Sequence, residues 1–400
     1  MAARNILRQR RRSAIAIVAI AFGITALILA TGFIERMFSD LRESTIKPHL
    51  GHLQIVRPGY HDAGKANPYA YLLPEVIPPD ISASMEARTV KTIAPRLSFS
   101  GLISHGASTI SFIGDAVSPQ DEVAFGDGLE IASGKNLSTD PRTVIIGEGL
   151  ARNLGIKVGD RVVLMASTTS GGTNGVEVTV QGLFQTASKA YDDSALRLPL
   201  ATARELLRTK GSHVWVVLLD KTTRTDTALA AIRKTLPADQ FEVVPWYRLS
   251  DFYNKTTALF NKQIQGLRFI IAAIILLCIS NTMIMSVLER TGEIGTAMAL
   301  GAKRSSVLRQ FLIEGALLGC IGGAIGLAVA VPLAHIISAI GIPMPPPPGK
   351  THGFLGGILL TWTLCAQAFA VAVATTLLAS VYPAWRASRM QIVDSLRHNR

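Results

Sequence analysis

Charged residues are scarce in this sequence. They make up 17% of its 400 residues, whereas a soluble domain typically carries about a quarter. This deficit indicates membrane-spanning segments. Cysteine is scarce as well, since the chain has three cysteines and residues 35–267 contain none. A disulfide framework is therefore excluded for this long segment.

Acidic residues are outnumbered, because 28 Asp and Glu stand against 40 Lys and Arg. A net charge of +12 would suit a nucleic-acid-binding protein, but no basic stripe with interleaved aromatic residues is present. Residues 35–267 hold 25 of the basic residues and 24 of the acidic ones, so the excess lies in the remaining segments. We expect no nucleic-acid partner and interpret the excess as a signal of membrane orientation.

Four apolar runs are long enough to cross a bilayer, which takes about 20 helical residues. The runs contain no Asp, Glu, Lys or Arg and are Ser13–Ile34, Phe269–Leu288, Gly315–Ile340 and Phe354–Trp385. They predict transmembrane spans at residues 13–34, 268–288, 311–340 and 354–385. The first run could also belong to a signal peptide, but it exceeds the usual apolar core of about 7–15 residues and no clear cleavage motif follows. We therefore predict a retained span.

The arginine distribution predicts the orientation of these spans. Basic residues cluster in segments 1–12, 289–310 and 386–400 and are nearly missing from 341–353. Because cytoplasmic loops carry the excess of Lys and Arg, we predict that both termini and the 289–310 loop are cytoplasmic. Residues 35–267 then lie outside, and 341–353 forms a short, proline-rich outer loop. The chain is predicted to be a multi-pass protein of the cytoplasmic (inner) membrane.

The segment 35–267 alternates between strand-like and helix-like patterns. Val176–Leu183 has the two-residue period of a half-buried strand, and Glu148–Leu154 has a helical one. Helix-like stretches at both ends, Glu35–Lys47 and Arg248–Gly266, predict stalks that continue the first two spans. The predicted fold is a membrane protein with four transmembrane α-helices and a large α+β extracytoplasmic domain inserted between spans 1 and 2.

No catalytic or nucleotide-binding motif is present. The sequence has no H-E-x-x-H or G-x-S-x-G motif and no Cys/His cluster. Gly349-Lys350-Thr351 imitates the end of a phosphate-binding loop, but the first glycine of that motif would fall on Met344. Pro345–Pro348 also have no backbone N–H to offer a phosphate. We predict a chain that is not an enzyme and binds no metal or cofactor itself.

The predicted cytoplasmic loop contains a short amphipathic helix. Ile294, Ala297 and Met298 share one helical face, and Gly301 is placed to end the helix. Such a helix either lies on the lipid headgroups or docks into another protein.

The loop carries a resemblance to a known family. The stretch LERTGEIGTAMALGAKRSSVLRQFLIEGALLGCIGGAIG resembles the permease signature of the MacB/FtsX/lipoprotein-release superfamily. The stretch VIIGEGLARNLGIKVGDRVVL is similar to its outer-domain core, and GHLQIVRPGY to its lipoprotein-release branch. Gly292 and the pair Thr296-Ala297 depart from the family pattern, which has a charged residue and a more basic pair at these places.

This resemblance implies the permease subunit of an ATP-driven (ABC) transporter. A separate ABC ATPase subunit would provide the ATP and Mg sites, and a second permease subunit, identical or different, would complete the membrane part. The pair would act, among membrane lipids, on a lipoprotein or another amphipathic substrate. An FtsX-like signalling scaffold that controls cell-wall hydrolases without transport is the alternative. The resemblance assigns the ATPase-docking helix to Glu289, Arg290, Glu293, Ile294, Ala297, Met298, Leu300 and Gly301.

The third predicted span supplies the remaining candidates. Glu314 lies at its start and matches the glutamate of the signature, which favours a structural role near the loop. His335, near the outer end, is either an interfacial side chain or a proton carrier. Small residues at helical spacing predict close helix packing, with a gating hinge as the alternative. They are Gly315, Gly319, Gly322, Gly323 and Gly326.

Overall fold

The computed structural model describes residues 10–64, 67–79, 81, 89–126, 129–186, 188–344 and 354–390. Most of the predicted cytoplasmic termini and of the predicted proline-rich loop lies outside these ranges. The described residues form two compact units. The helical unit consists of the segment that ends at Ser39, Lys255–Pro343 and the segment that begins at Leu355, and the α+β unit consists mainly of Asp40–Asn254.

The first helix, α1, runs without a break from Arg10 to Thr45. It contains the first predicted span and most of the stalk predicted after it. A π-helical turn, Ile46–Leu50, follows and ends at Gly51, where φ is 63°. A side chain at this position would be strained by the positive φ and would also overlap Val216.

The α+β unit contains one sheet of ten strands among the described residues. In chain order the strands are β1 (Leu53–Val56), β2 (Val90–His105), β3 (Ser108–Val117), β4 (Glu130–Gly134), β5 (Thr143–Gly147), β6 (Arg161–Ser167), β7 (Thr173–Gln185), β8 (Ala195–Pro199), β9 (Val214–Leu219) and β10 (Glu242–Pro245). Their order in the sheet is β10-β1-β9-β2-β3-β8-β5-β7-β4, and β6 pairs with both β2 and β7. The pairs β3–β8 and β5–β7 are parallel.

Strand β2 is long enough to pair with different neighbours along its two halves. Its first half, up to Arg96, pairs with β9, and Arg96–His105 pairs with β3. The two largest hydrophobic cores of the sheet lie on these two parts, and two smaller ones accompany them. Short helices connect the strands: α2 (Tyr60–Ala63), α3 (Pro119–Glu122), α4 (Glu148–Leu154), α5 (Lys189–Asp192), α6 (Leu200–Leu207), α7 (Thr225–Thr235) and α8 (Trp246–Leu249).

The alternating sequence pattern accounts for both cores. On β7, the buried side chains of Val176, Val178 and Val180 alternate with exposed or half-buried ones, as a half-buried strand requires. They belong to the core on β2, β3 and β5–β8, whereas Trp215 and Ile232 belong to the core on β1, β9 and β10 beneath α7. The predicted α+β domain between the first and second spans is confirmed.

Four helices follow the α+β unit. They are α9 (Asp251–Glu289), α10 (Thr291–Ala299), α11 (Arg304–Ile340) and α12 (Trp362–Ser388). Helices α1, α9, α11 and α12 are each long and apolar enough to cross a membrane. The four predicted membrane helices are therefore present. Because α11 begins at Arg304, the predicted loop 289–310 is shorter than expected.

The fourth membrane helix begins later than the predicted span 354–385. Residues Phe354–Gly356 form a strand, β12, which pairs with β11 (Ile342–Met344). Helix α12 begins after Thr361, whose hydroxyl accepts a hydrogen bond from the Leu364 N–H at 3.2 Å. This N-cap sets the start of the helix, whereas a continuous apolar run cannot distinguish a strand from a helix.

Candidate functional site

The segment between the second and third spans folds as a helix of its own, α10. One residue separates it from α9. Beyond its end, Gly301 has a φ of 95°. The Gly301 N–H donates to Met298 O at 3.1 Å, and the Ala302 N–H donates to Ala297 O at 3.0 Å. These two bonds form a Schellman motif, so the backbone of Gly301 ends the helix.

One face of α10 is buried in the helical unit. Thr291, Ile294 and Gly295 are buried, and Met298 packs against the same core. Ile294 and Met298 are predicted from the sequence to face a partner, and this prediction needs correction because both side chains face the chain's own helices. The apolar stripe of an amphipathic helix is buried against the nearest apolar surface, which here belongs to the same chain.

The opposite face of α10 is exposed. It consists of Glu293, Thr296, Ala297 and Leu300, whose spacing of three, four and seven residues places them on one side of a helix. We call these four residues the docking face. Leu300 is 84% exposed, whereas Ile294 is 8% exposed. Thr296 is absent from the residues that the sequence predicted, although the helical period alone could have added it.

The junction between α9 and α10 is held by ion pairs in two directions. Glu289 forms a salt bridge with Arg12 of α1. Arg290 Nη1 lies 3.2 Å from Glu314 Oε2 of α11. The side chains of Arg290 and Glu314 are 9% and 5% exposed, whereas those of Arg12 and Glu289 are 42% and 43% exposed. Glu289 and Arg290, both predicted as docking residues, thus contact other helices of the same chain.

The glycines of α11 lie where other helices come closest. Gly315 and Gly319 face α12, because a Cβ on them would overlap the side chains of Ser380 and Thr376 respectively. Gly323 also faces α12, where a Cβ would lie 3.0 Å from the Phe369 ring. These three glycines let α11 and α12 pack at short distance.

Two further glycines of α11 face α1. A Cβ on Gly322 would lie 2.8 Å from Ile20 Cβ, and one on Gly326 would lie 2.9 Å from Ala21 O. The hydroxyl of Thr25 lies 2.8 Å from Ala21 O of its own helix and 3.1 Å from Gly326 O across this contact, so its one proton is shared between the two carbonyl oxygens. The predicted glycine row therefore packs against two helices of the same chain.

His335, the other candidate in the third span, lies on the exposed side of α11. Its Nδ1 is 2.8 Å from the carbonyl oxygen of Val331, one turn earlier. This contact stays within the helix and links His335 to no other span.

The α+β unit holds a cluster of charged side chains of both signs. Arg96 donates to both oxygens of Glu122, at 2.7 and 3.0 Å. Arg197 Nη1 lies 3.9 Å from the same carboxylate. Tyr191 donates to Asp115 at 2.5 Å, and burial together with that carboxylate raises the pKa of Tyr191. Two carboxylates balance two guanidinium groups, so the cluster is a neutral structural network.

His52 is a buried histidine that directly precedes strand β1 of the same sheet. Its Nδ1 accepts a hydrogen bond from the Leu219 N–H at 3.0 Å, and its Nε2 lies 3.1 Å from the Thr222 hydroxyl. Burial lowers the pKa of His52 to about 4. The neutral ring is therefore the form that the folded domain holds at neutral pH.

Two family models cover most of the chain. The MacB-like periplasmic core domain matches residues 13–235, and the FtsX-like permease C-terminal domain matches residues 267–392. The first match contains α1 and nearly all of the α+β unit, and the second contains α10 and the last two membrane helices. The four-helix membrane unit with one large inserted α+β domain thus has the architecture of the MacB/FtsX-type permeases. This chain belongs to the MacB/FtsX superfamily.

This chain is similar to several individual proteins. An ABC transporter permease of Methanocaldococcus jannaschii is 24% identical over 69% of this chain and 67% of its own length. The macrolide export ATP-binding/permease protein MacB of Escherichia coli is 24% identical over 99% of this chain and 60% of its own length. This chain therefore spans about 60% of the length of MacB. The solved periplasmic region of MacB from Actinobacillus actinomycetemcomitans aligns with 51% of this chain and 93% of that region, at 12% identity and a TM-score of 0.36.

Proposed function

We propose that this chain is the permease subunit of an ABC transporter and that its docking face binds the ATPase. The exposed face of α10 is the observation that carries the proposal. An interfacial helix on lipid buries its apolar stripe in the membrane, but the stripe of α10 is already buried in its own helical unit. The docking face presents the carboxylate of Glu293 beside an 84% exposed Leu300. An anionic lipid surface offers this carboxylate no favourable contact, whereas a protein cleft can accept both side chains.

The ATPase in this proposal is a separate chain that holds the ATP and Mg sites. Its movement on binding and hydrolysing ATP displaces α10, and α1 and α9 carry the displacement across the membrane. Both helices suit this task because they are unbroken over 36 and 39 residues. A second permease subunit, identical or different, completes the membrane part. The predicted orientation, with both termini and α10 in the cytoplasm, belongs to the same proposal.

The substrate in this proposal is a lipoprotein or another amphipathic molecule that is moved outside the cytoplasm. The scarcity of charged residues in the spans supports it, because a hydrophilic conduit needs polar walls. The name of the Escherichia coli relative assigns macrolide export to that protein. Release of a fluorescent triacylated peptide from proteoliposomes to albumin on addition of ATP tests this substrate class. ATP hydrolysis without any release of the peptide would contradict it.

The docking proposal is tested by Leu300→Ala. Truncating an anchor residue at a protein interface typically costs about 1–3 kcal/mol, which corresponds to roughly ten- to hundred-fold weaker binding. The measurement is the affinity of the purified ATPase for the permease in lipid nanodiscs. Leu378→Ala is the matched control, because Leu378 is also well exposed, at 66%, but lies on membrane helix α12. Equal affinities for the two variants would contradict the proposal.

A further inference from the structure

The ion pair between Arg290 and Glu314 differs from a surface salt bridge because both of its side chains are buried. Glu314 lies ten residues after the start of α11 at Arg304, which is about 15 Å along the helix axis. Both side chains are nearly completely buried. Separating the two members of a buried ion pair is strongly unfavourable. The contact between Arg290 and Glu314 therefore resists being pulled apart as well as being compressed.

The other link at this junction is of a weaker kind. The salt bridge between Arg12 and Glu289 is about two-fifths exposed on both sides. Solvent and salt screen such a pair, and exposed pairs contribute little. Of these two ion pairs, the one between Arg290 and Glu314 of α11 is thus the stiffer.

Helix α11 is closely packed against its neighbours next to Glu314. Gly315, the next residue after Glu314, packs against Ser380 of α12 without room for a Cβ. Further along, Gly322 and Gly326 pack equally closely against α1. Closely packed interiors have low compressibility and transmit displacement. A force applied at Glu314 therefore moves α11 together with its two neighbours.

We infer that Arg290 and Glu314 are positioning residues that transmit the movement of α10 to the third span. The inference rests on the proposed function, since it presumes that an ATPase moves α10. Neither residue belongs to the docking face, so the pair serves energy coupling and not binding of the ATPase, and it adds α11 to the helices α1 and α9 that carry the displacement. A purely apolar contact in its place would hold α10 in position but would lack the directional attraction between the two charges.

The test separates coupling from binding with three double variants in nanodiscs. Arg290→Met with Glu314→Met removes the charges at similar volume, a replacement that buried ion pairs generally tolerate. Arg290→Glu with Glu314→Arg exchanges the charges. Arg12→Gln with Glu289→Gln is the control at the exposed pair. The two readouts are retention of the ATPase and the ATP-dependent change in amide exchange of α1 and α11.

All three variants are expected to retain the ATPase. In the methionine variant, the ATP-dependent change in exchange should fall by about tenfold. The variant with swapped charges should show the full ATP-dependent change in amide exchange again, and the Arg12/Glu289 control should keep it. Two results would overturn this inference and leave the proposed function intact. One is a methionine variant that keeps the full ATP-dependent change in amide exchange. The other is a charge-swapped variant whose change in amide exchange is as small as that of the methionine variant. Failure of the unaltered chain to bind the ATPase would instead overturn the proposed function, and the inference with it.

Discussion

Gly322 lies where α11 crosses α1 with no room for a side chain. A Cβ there would lie 2.8 Å from Ile20 Cβ and 2.9 Å from Ile20 Cγ2, whereas carbon atoms in contact prefer about 3.5–4.0 Å. In Gly322→Ala the two helices must separate by up to about 1 Å. The contact of the Thr25 hydroxyl with Gly326 O, now 3.1 Å long, would then exceed the distance at which it is effective, while Ala21 O in the same helix as Thr25 stays within reach at 2.8 Å.

The change in the free energy of unfolding of Gly322→Ala has three contributions. Overpacking costs about 1–3 kcal/mol, and loss of the shared contact with Gly326 O adds about 0.5 kcal/mol, the low end for a hydrogen bond, because the hydroxyl keeps Ala21 O. Alanine recovers up to about 1 kcal/mol because it is the better helix former. We expect a net loss of about 1–3 kcal/mol, which lowers the unfolding midpoint by several degrees.

Gly266→Ala is the matched control for this prediction. Gly266 also lies inside a membrane helix, α9, but a Cβ there meets nothing within 4 Å. Only the gain in helix propensity remains, so the variant should be stabilised by up to about 1 kcal/mol. The assay is the thermal unfolding midpoint of the purified chain in detergent, followed by intrinsic fluorescence. A midpoint that rises in Gly322→Ala as it does in Gly266→Ala would refute the packing argument.

Three further predictions concern topology, α10 and pH. In a background without the native cysteines, Ser170→Cys should react with a membrane-impermeant thiol reagent in intact cells and Ser305→Cys should not; the reverse pattern would contradict the orientation. Ile294→Ala should speed amide exchange in α10 by roughly tenfold or more, because truncating a buried isoleucine costs about 2 kcal/mol or more, and unchanged exchange would argue against its anchoring role. The pKa of His52 is about 4 in the folded state and about 6.5 when unfolded. The unfolded state therefore takes up the proton first as pH falls, and stability is lost between about pH 6.5 and 4, by up to about 3 kcal/mol. His52→Asn should flatten this loss in a denaturation series, and an unaltered pH slope would assign the loss to other groups.

The sequence was sufficient to predict the membrane helices and the class of the inserted domain. Uncharged apolar runs of about 20 residues have few alternatives to membrane helices, and the two-residue period of β7 indicates a half-buried strand. The start of α12 could not be derived in the same way. The apolar run from Phe354 continues through a strand and a linker before Thr361 caps the helix, and hydropathy does not distinguish these conformations.

The candidate site was predicted in part. Helical periodicity shows which residues of α10 share a face, but it does not show which neighbour covers that face. Ile294 is buried and Met298 is half-buried against segments distant in sequence, so the sequence alone could not exclude them from the docking residues. The partner of Arg290 is likewise 24 residues away, in another helix. Such contacts depend on how the helices pack and not on local pattern.

Binding of the ATPase to the exposed face of α10 is the contact on which the proposed function depends, and photo-cross-linking in cells detects it. A photoreactive amino acid replaces Leu300 in one variant and Ile294 in another, and intact cells are irradiated. Because Leu300 is 84% exposed and Ile294 is 8% exposed, we expect a covalent adduct with an ABC ATPase from position 300 and none from position 294. An adduct with the ATPase from position 294 alone, or from neither position, would contradict it.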